Sequence, residues 1–417
     1  MPIGIADGSS RRARPRAEPG AMNDPRTRMQ VLEPEATRDL VPRLTAPVWL
    51  YRFEHTEHGW IMCIATQGEP GSGKLSLGGF RIVPEARAAA PGFSPEREAI
   101  GLAQGMGEKA AWSRLTRVGG PLGLRELDRI VGGKCVLLPT PGFRVGEKGD
   151  FELLDWGVSC CLEVERRAGV HLITGQDMGH GVMSDGRTTS LEYLHERFAG
   201  SVLEDTSKPT GEGNYWILRG ALDALGIPIH KASVGLIGCG NVGMHVLDRL
   251  HDAGARLLAL DIDENRLREL SERGVATFRA GEKARLVQAP IDALVVNAAG
   301  GSLDEPTVSA ACENERLRVV CGCENLAMTD PQGVERLRRA KTAYMPTELC
   351  GMLGYLTAVE EYLSRARGVR YGVEVMFEAA RGLEPIGRRG MSRLVERNFD
   401  CTFADAVREV YGENPLG

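Results

Sequence analysis

A glycine-rich turn between a short apolar run and an amphipathic run constrains the fold of this 417-residue chain more than any other feature. Residues 233–247 read SVGLIGCGNVGMHVL. Gly238 permits a tight turn, Gly240 lets another molecule approach the backbone, and Gly243 allows close packing of a helix on a strand. The order predicts a strand, a turn and a helix whose free N–H groups face the phosphates of a dinucleotide. The alternative is a turn in an α/β domain that binds no nucleotide.

An acidic residue extends this motif. Asp261 ends the next apolar run, 18 residues beyond Gly243. A carboxylate at that place can accept hydrogen bonds from both ribose hydroxyls and repels a 2′-phosphate, which favours NAD over NADP.

Alternating strand and helix patterns extend from Ser233 to about residue 350 and predict a parallel sheet. Earlier in the chain, the patterns predict strands that include 75–83 and 135–138 and helices that include 95–117, 153–167 and 209–225. We therefore expect an α/β fold with a first domain over 30–205, a Rossmann domain over 206–352 and a helical segment over 353–417 that packs back on the first domain. Residues 1–29 are polar and are expected to form a disordered leader.

Composition excludes several classes of protein. The net charge is −5, and charged residues of both signs are interspersed along the chain. We find no basic stripe of the kind that binds nucleic acid, so no nucleic-acid partner is expected. No apolar run is long enough to cross a membrane, and we expect no membrane partner. The ten cysteines lack the spacing of metal ligands, which predicts reduced thiols in a cytoplasmic protein and no metal site.

Residues 68–75 read GEPGSGKL and nearly match a phosphate-binding P-loop. Leu75 stands where a magnesium-binding Ser or Thr would be required, and a strand rather than a helix is expected to follow. We therefore interpret the segment as a glycine-rich hairpin turn.

Lys134 lies between two glycines and an apolar run, in the segment VGGKCVLL. Burial strips an ammonium group of water, so a lysine here is stabilised by losing its proton, and such a neutral amine is a useful base. The alternative is a lysine whose side chain reaches solvent from the end of a strand.

Several segments together resemble the Glu/Leu/Phe/Val amino acid dehydrogenase family, nearest its leucine and phenylalanine branch. They occur in family order between about 75 and 362, and include 77–81 (LGGFR), 105–109 (GMGEK), 132–134 (GGK), 173–179 (ITGQDMG), 208–210 (KPT) with Tyr215, 292–301, 324–325 (EN) and 344–346 (YMP).

The resemblance implies a role for particular residues. Lys134 and Asp177 would be catalytic, as water-activating amine and proton carrier, and Lys109 would hold the substrate α-carboxylate. The remaining substrate-binding residues would be Leu77, Gly78, Gly79 and Gly351, and the cofactor-binding residues Gly238, Cys239, Gly240, Asn241, Val242, Gly243, Asp261, Ala298 and Asn325. Structural alternatives are an exposed helix lysine for Lys109 and a loop cap for Asp177. The family also implies a homo-oligomer assembled through the first domain.

Leu77 bears on substrate choice, because glutamate-specific relatives place a lysine just before the glycine pair. With leucine there, a substrate carboxylate would be buried without a partner, so an apolar substrate side chain is expected.

Three departures from the family are visible. Lys109 and Lys134 are farther apart than usual, and the extra residues 119–124 (GGPLGL) could form a loop over the pocket. Gly213 replaces a threonine near the nicotinamide, and Gly351 replaces a substrate-binding asparagine. Both glycines would open space, which suggests a substrate larger than leucine.

The leading hypothesis is an NAD-dependent enzyme that reversibly converts an apolar, branched or aromatic L-amino acid into its 2-oxo acid and ammonia. Two alternatives remain open: an imine or ketone reductase on the same scaffold, and a nucleotide-binding regulatory protein that has lost catalysis.

Overall fold

Two β-sheets organise the chain, one in each half. A computed structural model describes residues 24–175 and 177–412. The first sheet has seven strands: β1 (Thr27–Leu32), β2 (Trp49–His55), β3 (Ile61–Thr66), β4 (Leu75–Leu77), β5 (Phe80–Ile82), β6 (Ile130–Leu138) and β7 (His171–Ile173). Their order is β1-β2-β3-β6-β4-β7, and β5 also pairs with β6. The first four strands of this order are antiparallel, whereas β4, β5 and β7 run parallel to their neighbours.

Helices cover this sheet and connect its strands. They are α1 (Pro34–Leu40), α2 (Glu85–Ala88), α3 (Pro95–Thr116), α4 (Pro121–Arg125), α5 (Asp150–Ala168) and α6 (Ser190–Arg197). The long helix α3 begins where Ser94 accepts a hydrogen bond from Arg97 N at 3.2 Å and Pro95 occupies the first turn. Its apolar face packs against β3 and β6, which places α3 beside the strand that carries Lys134.

The second sheet is parallel throughout, as the sequence predicts. Its strands are β8 (Ser233–Ile237), β9 (Arg256–Asp261), β10 (Ala276–Arg279), β11 (Ala293–Val296), β12 (Val319–Gly322) and β13 (Ala343–Tyr344). The order β10-β9-β8-β11-β12-β13 is that of a Rossmann sheet. The order reverses between β8 and β11, where such sheets bind their ligands. The α/β fold with a Rossmann domain is therefore confirmed.

The helices of the second half are α7 (Ser207–Ala224), α8 (Asn241–Asp252), α9 (Glu264–Glu272), α10 (Lys283–Gln288), α11 (Glu305–Glu313), α12 (Gln332–Arg339), α13 (Thr347–Cys350), α14 (Met352–Ala366), α15 (Glu374–Arg381), α16 (Leu383–Glu396) and α17 (Phe403–Gly412). Helix α14 packs against α3, α4 and α7, and so joins the two halves. Helix α16 packs mainly on α7 and α17, and α17 also contacts α3. The C-terminal helices thus contact both halves.

Several local expectations require correction. Residues 1–23 of the expected leader lie outside the described residues, but residues 27–29 are part of β1. The predicted strand over 75–83 is two strands, β4 and β5, separated at Gly78 and Gly79. The strand predicted to begin at Cys135 begins at Ile130, so Lys134 lies within it.

The segment 68–73 leads into a strand, as expected, but it does not form a hairpin. Strand β3 pairs with β2 and β6, while β4 pairs with β6 and β7, so the two strands that flank the segment are not neighbours. Within the described parts of the chain, no helix combines the length and apolar character that a membrane span requires.

Candidate active site

A cavity of about 340 Å³ lies between the two halves of the molecule. The first half contributes Lys109 from α3, Lys134 from β6 and Asp177 from the loop after β7. The second half contributes residues of the glycine-rich turn, including Asn241 and Val242, together with Asn325. The three ionisable side chains chosen from the sequence therefore face one space beside the nucleotide turn.

Lys134 reaches this cavity because its neighbouring strand is interrupted. Strand β4 pairs Leu77 with Gly132, β5 pairs Phe80 with Cys135, and Gly78 and Gly79 separate the two pairings. A Cβ at Gly78 would lie 1.7 Å from Gly133 O, and one at Gly79 would lie 3.0 Å from Lys134 Nζ. Glycine is needed at Gly78 so that the chains can pass each other, and at Gly79 it leaves room for the amine.

The amine of Lys134 is in direct contact with Asp177 Oδ2. Lys134 is only 3% exposed. Burial lowers the pKa of Lys134 well below its usual value, and the positive charges of Arg81 and Lys109 lower this pKa further. Burial and the two neighbouring cations therefore favour the neutral form of Lys134, whereas the contact with Asp177 favours the charged form.

Lys109 is buried on α3, and its Nζ donates a hydrogen bond of 3.0 Å to Asn325 Oδ1. Burial lowers the pKa of Lys109 as well, while the nearby carboxylate of Glu348 acts in the opposite direction. The separation of Lys109 from Lys134 in sequence does not keep these two side chains apart, since both line the same cavity.

The extra segment 119–124 does not form a loop over the pocket, contrary to expectation. It contains the start of α4, which packs on α14. The buried carboxylate of Glu360 accepts hydrogen bonds from Leu122 N at 3.0 Å and from Gly123 N at 2.7 Å. The carboxylate satisfies N–H groups at the N terminus of α4 and fixes the segment on α14, outside the lining of the cavity.

The residues expected to bind substrate line the cavity: Leu77, Gly78, Gly79, Lys109 and Gly351. Met106, Tyr355 and Ala358 add further apolar surface to the wall. At Gly351, a Cβ would lie 2.9 Å from Thr347 O and 3.1 Å from Cys323 Cβ, so neighbouring atoms occupy part of the space that the glycine leaves.

Gly213 does not lie at the cavity, which corrects the second departure inferred from the sequence. A Cβ at Gly213 would meet Leu383 at 2.8 Å and Leu353 at 3.1 Å, so this glycine permits close packing of α7 against α14 and α16. Thr210, earlier on α7, lines the cavity instead. The inference that Gly213 opens space for a larger substrate is therefore wrong.

The glycine-rich turn has the geometry that a dinucleotide requires. Gly238 has φ +85°, and a Cβ there would lie 2.6 Å from Ala298 N on the neighbouring β11 loop. A Cβ at Gly243 would lie 2.1 Å from Gly238 O, whereas one at Gly240 would meet nothing within 4 Å. Helix α8 begins at Asn241 without a side-chain cap, which leaves its first N–H groups available for an anion.

A groove of about 600 Å³ follows this turn and includes Gly238, Gly240, Val242, Asp261, Ala298 and Asn325. Asp261 Oδ2 accepts a hydrogen bond from Cys239 N at 2.6 Å, and its Oδ1 accepts one from Asp263 N at 2.9 Å. Arg266 Nη1 donates to Cys239 O at 2.6 Å. Each carboxylate oxygen of Asp261 keeps a further lone pair for a ribose hydroxyl.

The structure also reveals polar residues to which the sequence reasoning gave no role. Buried Glu324 accepts hydrogen bonds from Ala298 N at 3.0 Å and Ser302 N at 2.8 Å, and so shapes the loop after β11. Asn297 Oδ1 accepts one from Cys323 N at 2.8 Å. Arg81, which directly follows the segment LGGF, contacts Asp177. The only signal for Arg81 in the sequence is its position two residues after the glycine pair.

Comparisons with known proteins agree with this architecture. Residues 234–296 match the model of the TrkA-N domain. The chain is 27% identical over 296 residues to valine dehydrogenase from Streptomyces albus, covering 69% of this chain and 72% of the relative. It is 26% identical over 199 residues to phenylalanine dehydrogenase from Lysinibacillus sphaericus, covering 45% of this chain and 50% of the relative.

Among solved structures, L-tryptophan dehydrogenase from Nostoc punctiforme has the same fold, with a TM-score of 0.56 and 19% identity over 85% of this chain and 91% of the other. The TrkA-N match extends from β8 to β11 and so covers the glycine-rich turn and the point where the strand order reverses. The sequence likenesses and the Rossmann domain lead to one conclusion: the chain is similar to the amino acid dehydrogenases and is an oxidoreductase that acts on amino acids.

Proposed function

We propose that the protein catalyses the reversible, NAD-dependent oxidative deamination of an apolar L-amino acid to its 2-oxo acid and ammonia. The observation that carries this proposal is the convergence of Lys109, Lys134 and Asp177 on one cavity next to the nucleotide turn. A fixed cation, a neutral amine and a carboxylate are the groups that the reaction needs.

A bound NAD would accept the hydride that leaves the substrate Cα. Lys109 binds the α-carboxylate of the substrate through its ammonium group. Lys134, as a neutral amine, takes a proton from the water that attacks the imine carbon, and then stabilises the oxygen that becomes the carbonyl. Asp177 carries protons to and from the substrate nitrogen, which leaves as ammonia. The buried position of both lysines keeps bulk water away from these transfers.

The wall of the cavity supports an apolar substrate side chain. Leu77, Met106, Tyr355 and Ala358 present carbon surface. Of the two lysines of the cavity, Lys109 is assigned to the α-carboxylate and Lys134 contacts Asp177, so neither is left for a second carboxylate. A substrate side-chain carboxylate would be buried there without a cation, at a cost above the roughly 2–7 kcal/mol of an unpaired neutral polar group. Branched and aromatic amino acids therefore remain the proposed substrates.

The groove supports NAD as the cofactor. Asp261 places a negative charge at the end of β9, where the carboxylate attracts ribose hydroxyls and repels a 2′-phosphate. Assembly into a homo-oligomer and a cytoplasmic location stay predictions.

The decisive experiment follows NADH consumption with ammonia and a panel of branched, aromatic and acidic 2-oxo acids. We expect turnover with apolar members, a loss of at least about 100-fold in Lys134→Ala, and unchanged turnover in Lys148→Ala, which alters an exposed lysine outside the cavity. Reduction of ketones that lack a carboxylate, without ammonia, would support the reductase alternative. No turnover of any substrate would reject the proposal.

A further inference from the structure

A buried arginine connects the Lys134–Asp177 pair to a second carboxylate. Arg81 lies on β5 and is 4% exposed. Its Nε and Nη2 donate to Asp177 Oδ1 at 3.2 and 3.1 Å, and its Nη1 donates to Glu98 Oε1 at 2.6 Å. All three guanidinium nitrogens are therefore engaged, so the position of Arg81 is determined from two sides.

Glu98 is itself held from two sides. It lies in the first turn of α3 and is 5% exposed. Its Oε1 accepts from Arg81, while its Oε2 accepts from Arg87 Nε at 2.9 Å and lies 2.8 Å from Arg87 Nη2. Lys134 contacts Asp177, Asp177 contacts Arg81, Arg81 contacts Glu98, and Glu98 contacts Arg87. Basic and acidic side chains therefore alternate in this series.

The alternation of basic and acidic side chains affects how easily Lys134 loses its proton. If a buried carboxylate has a lysine as its only cationic partner, deprotonation of that lysine leaves the carboxylate charge unpaired. Because an unpaired buried charge is costly, the lysine stays protonated. Here two arginines balance the two carboxylates, and arginine keeps its charge at all relevant pH values. Lys134 can therefore lose its proton without leaving Asp177 uncompensated.

We propose that Arg81 is a positioning residue that keeps Asp177 ionised and fixed in place, so that Lys134 is free to act as the neutral base. The part of this inference that concerns catalysis rests on the proposed function. The effect of Arg81 on the protonation of Lys134 does not depend on whether the substrate is an amino acid. Arg81 acts through Asp177 and is not itself a proton carrier.

The ionisable groups that face Lys134 come from several elements. They are Asp177 and His180 from the loop after β7, Arg81 from β5, Glu98 and Lys109 from α3, and Cys135 from β6 itself. Removal of the positive charge of Arg81 raises the pKa of Lys134, and removal of the negative charge of Glu98 lowers it. The two variants therefore have opposite expected effects.

The test measures the proton affinity of Lys134 without any need for turnover. Purified protein is labelled briefly with acetic anhydride at a series of pH values, and the acetylation rate at Lys134 is read by peptide mass spectrometry, since only a neutral amine reacts. We expect the midpoint to move to higher pH by on the order of one unit in Arg81→Gln and to lower pH in Glu98→Gln. Arg87→Gln is the comparison variant. Arg87 contacts Glu98 but not Asp177, so the loss of its charge should raise the midpoint clearly less than Arg81→Gln does.

A midpoint unchanged in both Arg81→Gln and Glu98→Gln would overturn the role of Arg81. Arg81→Lys keeps the charge but loses the paired hydrogen bonds, so its midpoint should stay near wild type while kcat falls by about tenfold. This variant and Glu98→Gln carry the test if Arg81→Gln does not fold. Opposite shifts in a wild-type background that turns over no amino acid would reject the proposed function and retain the role of Arg81.

Discussion

Lys109 Nζ donates a hydrogen bond of 3.0 Å to Asn325 Oδ1, and the two residues belong to different halves of the molecule. The amide oxygen is neutral, so it satisfies one proton of the ammonium group without cancelling its charge. A substrate carboxylate can therefore still bind Lys109 while the second half of the molecule stays in contact with it.

Asn325→Asp should weaken amino acid binding far more than Asn325→Ser. A carboxylate at this position would pair with Lys109 and compete with the substrate carboxylate. We expect KM for the amino acid to rise by at least about tenfold, equivalent to about 1.4 kcal/mol, with a smaller rise in the serine variant. Steady-state kinetics with varied amino acid and with varied NAD measure the effect. Equal KM values in the two variants would contradict the assignment of Lys109 to the substrate carboxylate.

Asp261→Ser should reduce the preference for NAD over NADP. The substitution removes the negative charge at the end of β9 and leaves Arg266 in the same groove. We expect kcat/KM with NAD to fall by about tenfold and the ratio of NADP to NAD activity to rise. Asp263→Ser is the control, because serine can also cap α9 at that position. An unchanged cofactor ratio in Asp261→Ser would show that Asp261 acts only on the backbone of the turn.

Glu360→Gln should loosen the segment 119–125 and leave the cavity intact. Glutamine offers one acceptor oxygen where the carboxylate binds both Leu122 N and Gly123 N, so a buried N–H group loses its partner at a cost of about 1–3 kcal/mol. Hydrogen exchange should accelerate over 119–125, while KM changes little. In the control, Glu361→Gln, exchange should instead increase at 203–204, whose N–H groups donate to Glu361. A large rise in KM for Glu360→Gln without faster exchange would restore the idea of a loop over the pocket.

Local patterns in the sequence were sufficient to predict the Rossmann half. The turn at Gly238, the helix after it and Asp261 at the end of the next strand all lie within one strand–helix–strand unit, where spacing determines geometry. The sequence left Lys134 with two alternatives, a buried amine or a side chain that reaches solvent, and Lys134 is 3% exposed.

Contacts between distant segments could not be predicted. The bond from Arg81 to Glu98 crosses from β5 to α3, and the docking of residues 119–124 depends on Glu360, more than 200 positions later. The sequence interpretation placed Gly213 near the nicotinamide, and this was wrong for the same reason. Only the packing against Leu353 and Leu383 shows that Gly213 lies away from the cavity.

Stability should depend on pH through Glu165, which lies on α5 away from the cavity. Burial raises the pKa of Glu165 to about 7, although its carboxylate accepts a hydrogen bond from Leu172 N at 2.8 Å. The folded protein therefore binds more protons than the unfolded chain between the ordinary pKa of 4.5 and 7. The contribution of Glu165 is thus fully present below pH 4.5 and is lost as the pH rises through 7.

Glu165→Gln keeps an acceptor for Leu172 N and cannot ionise, so it should stabilise the protein by on the order of 1–3 kcal/mol at pH 8 and by much less at pH 5. Thermal unfolding at both pH values measures the difference. Glu163→Gln is the control on the same helix. The Glu163 carboxylate is buried and paired with Arg166 and Arg167, so removal of its charge should lower Tm. An equal rise in Tm at pH 5 and pH 8 for Glu165→Gln would mean that the side chain is not ionised in the folded protein at pH 8, and that the gain comes from packing instead.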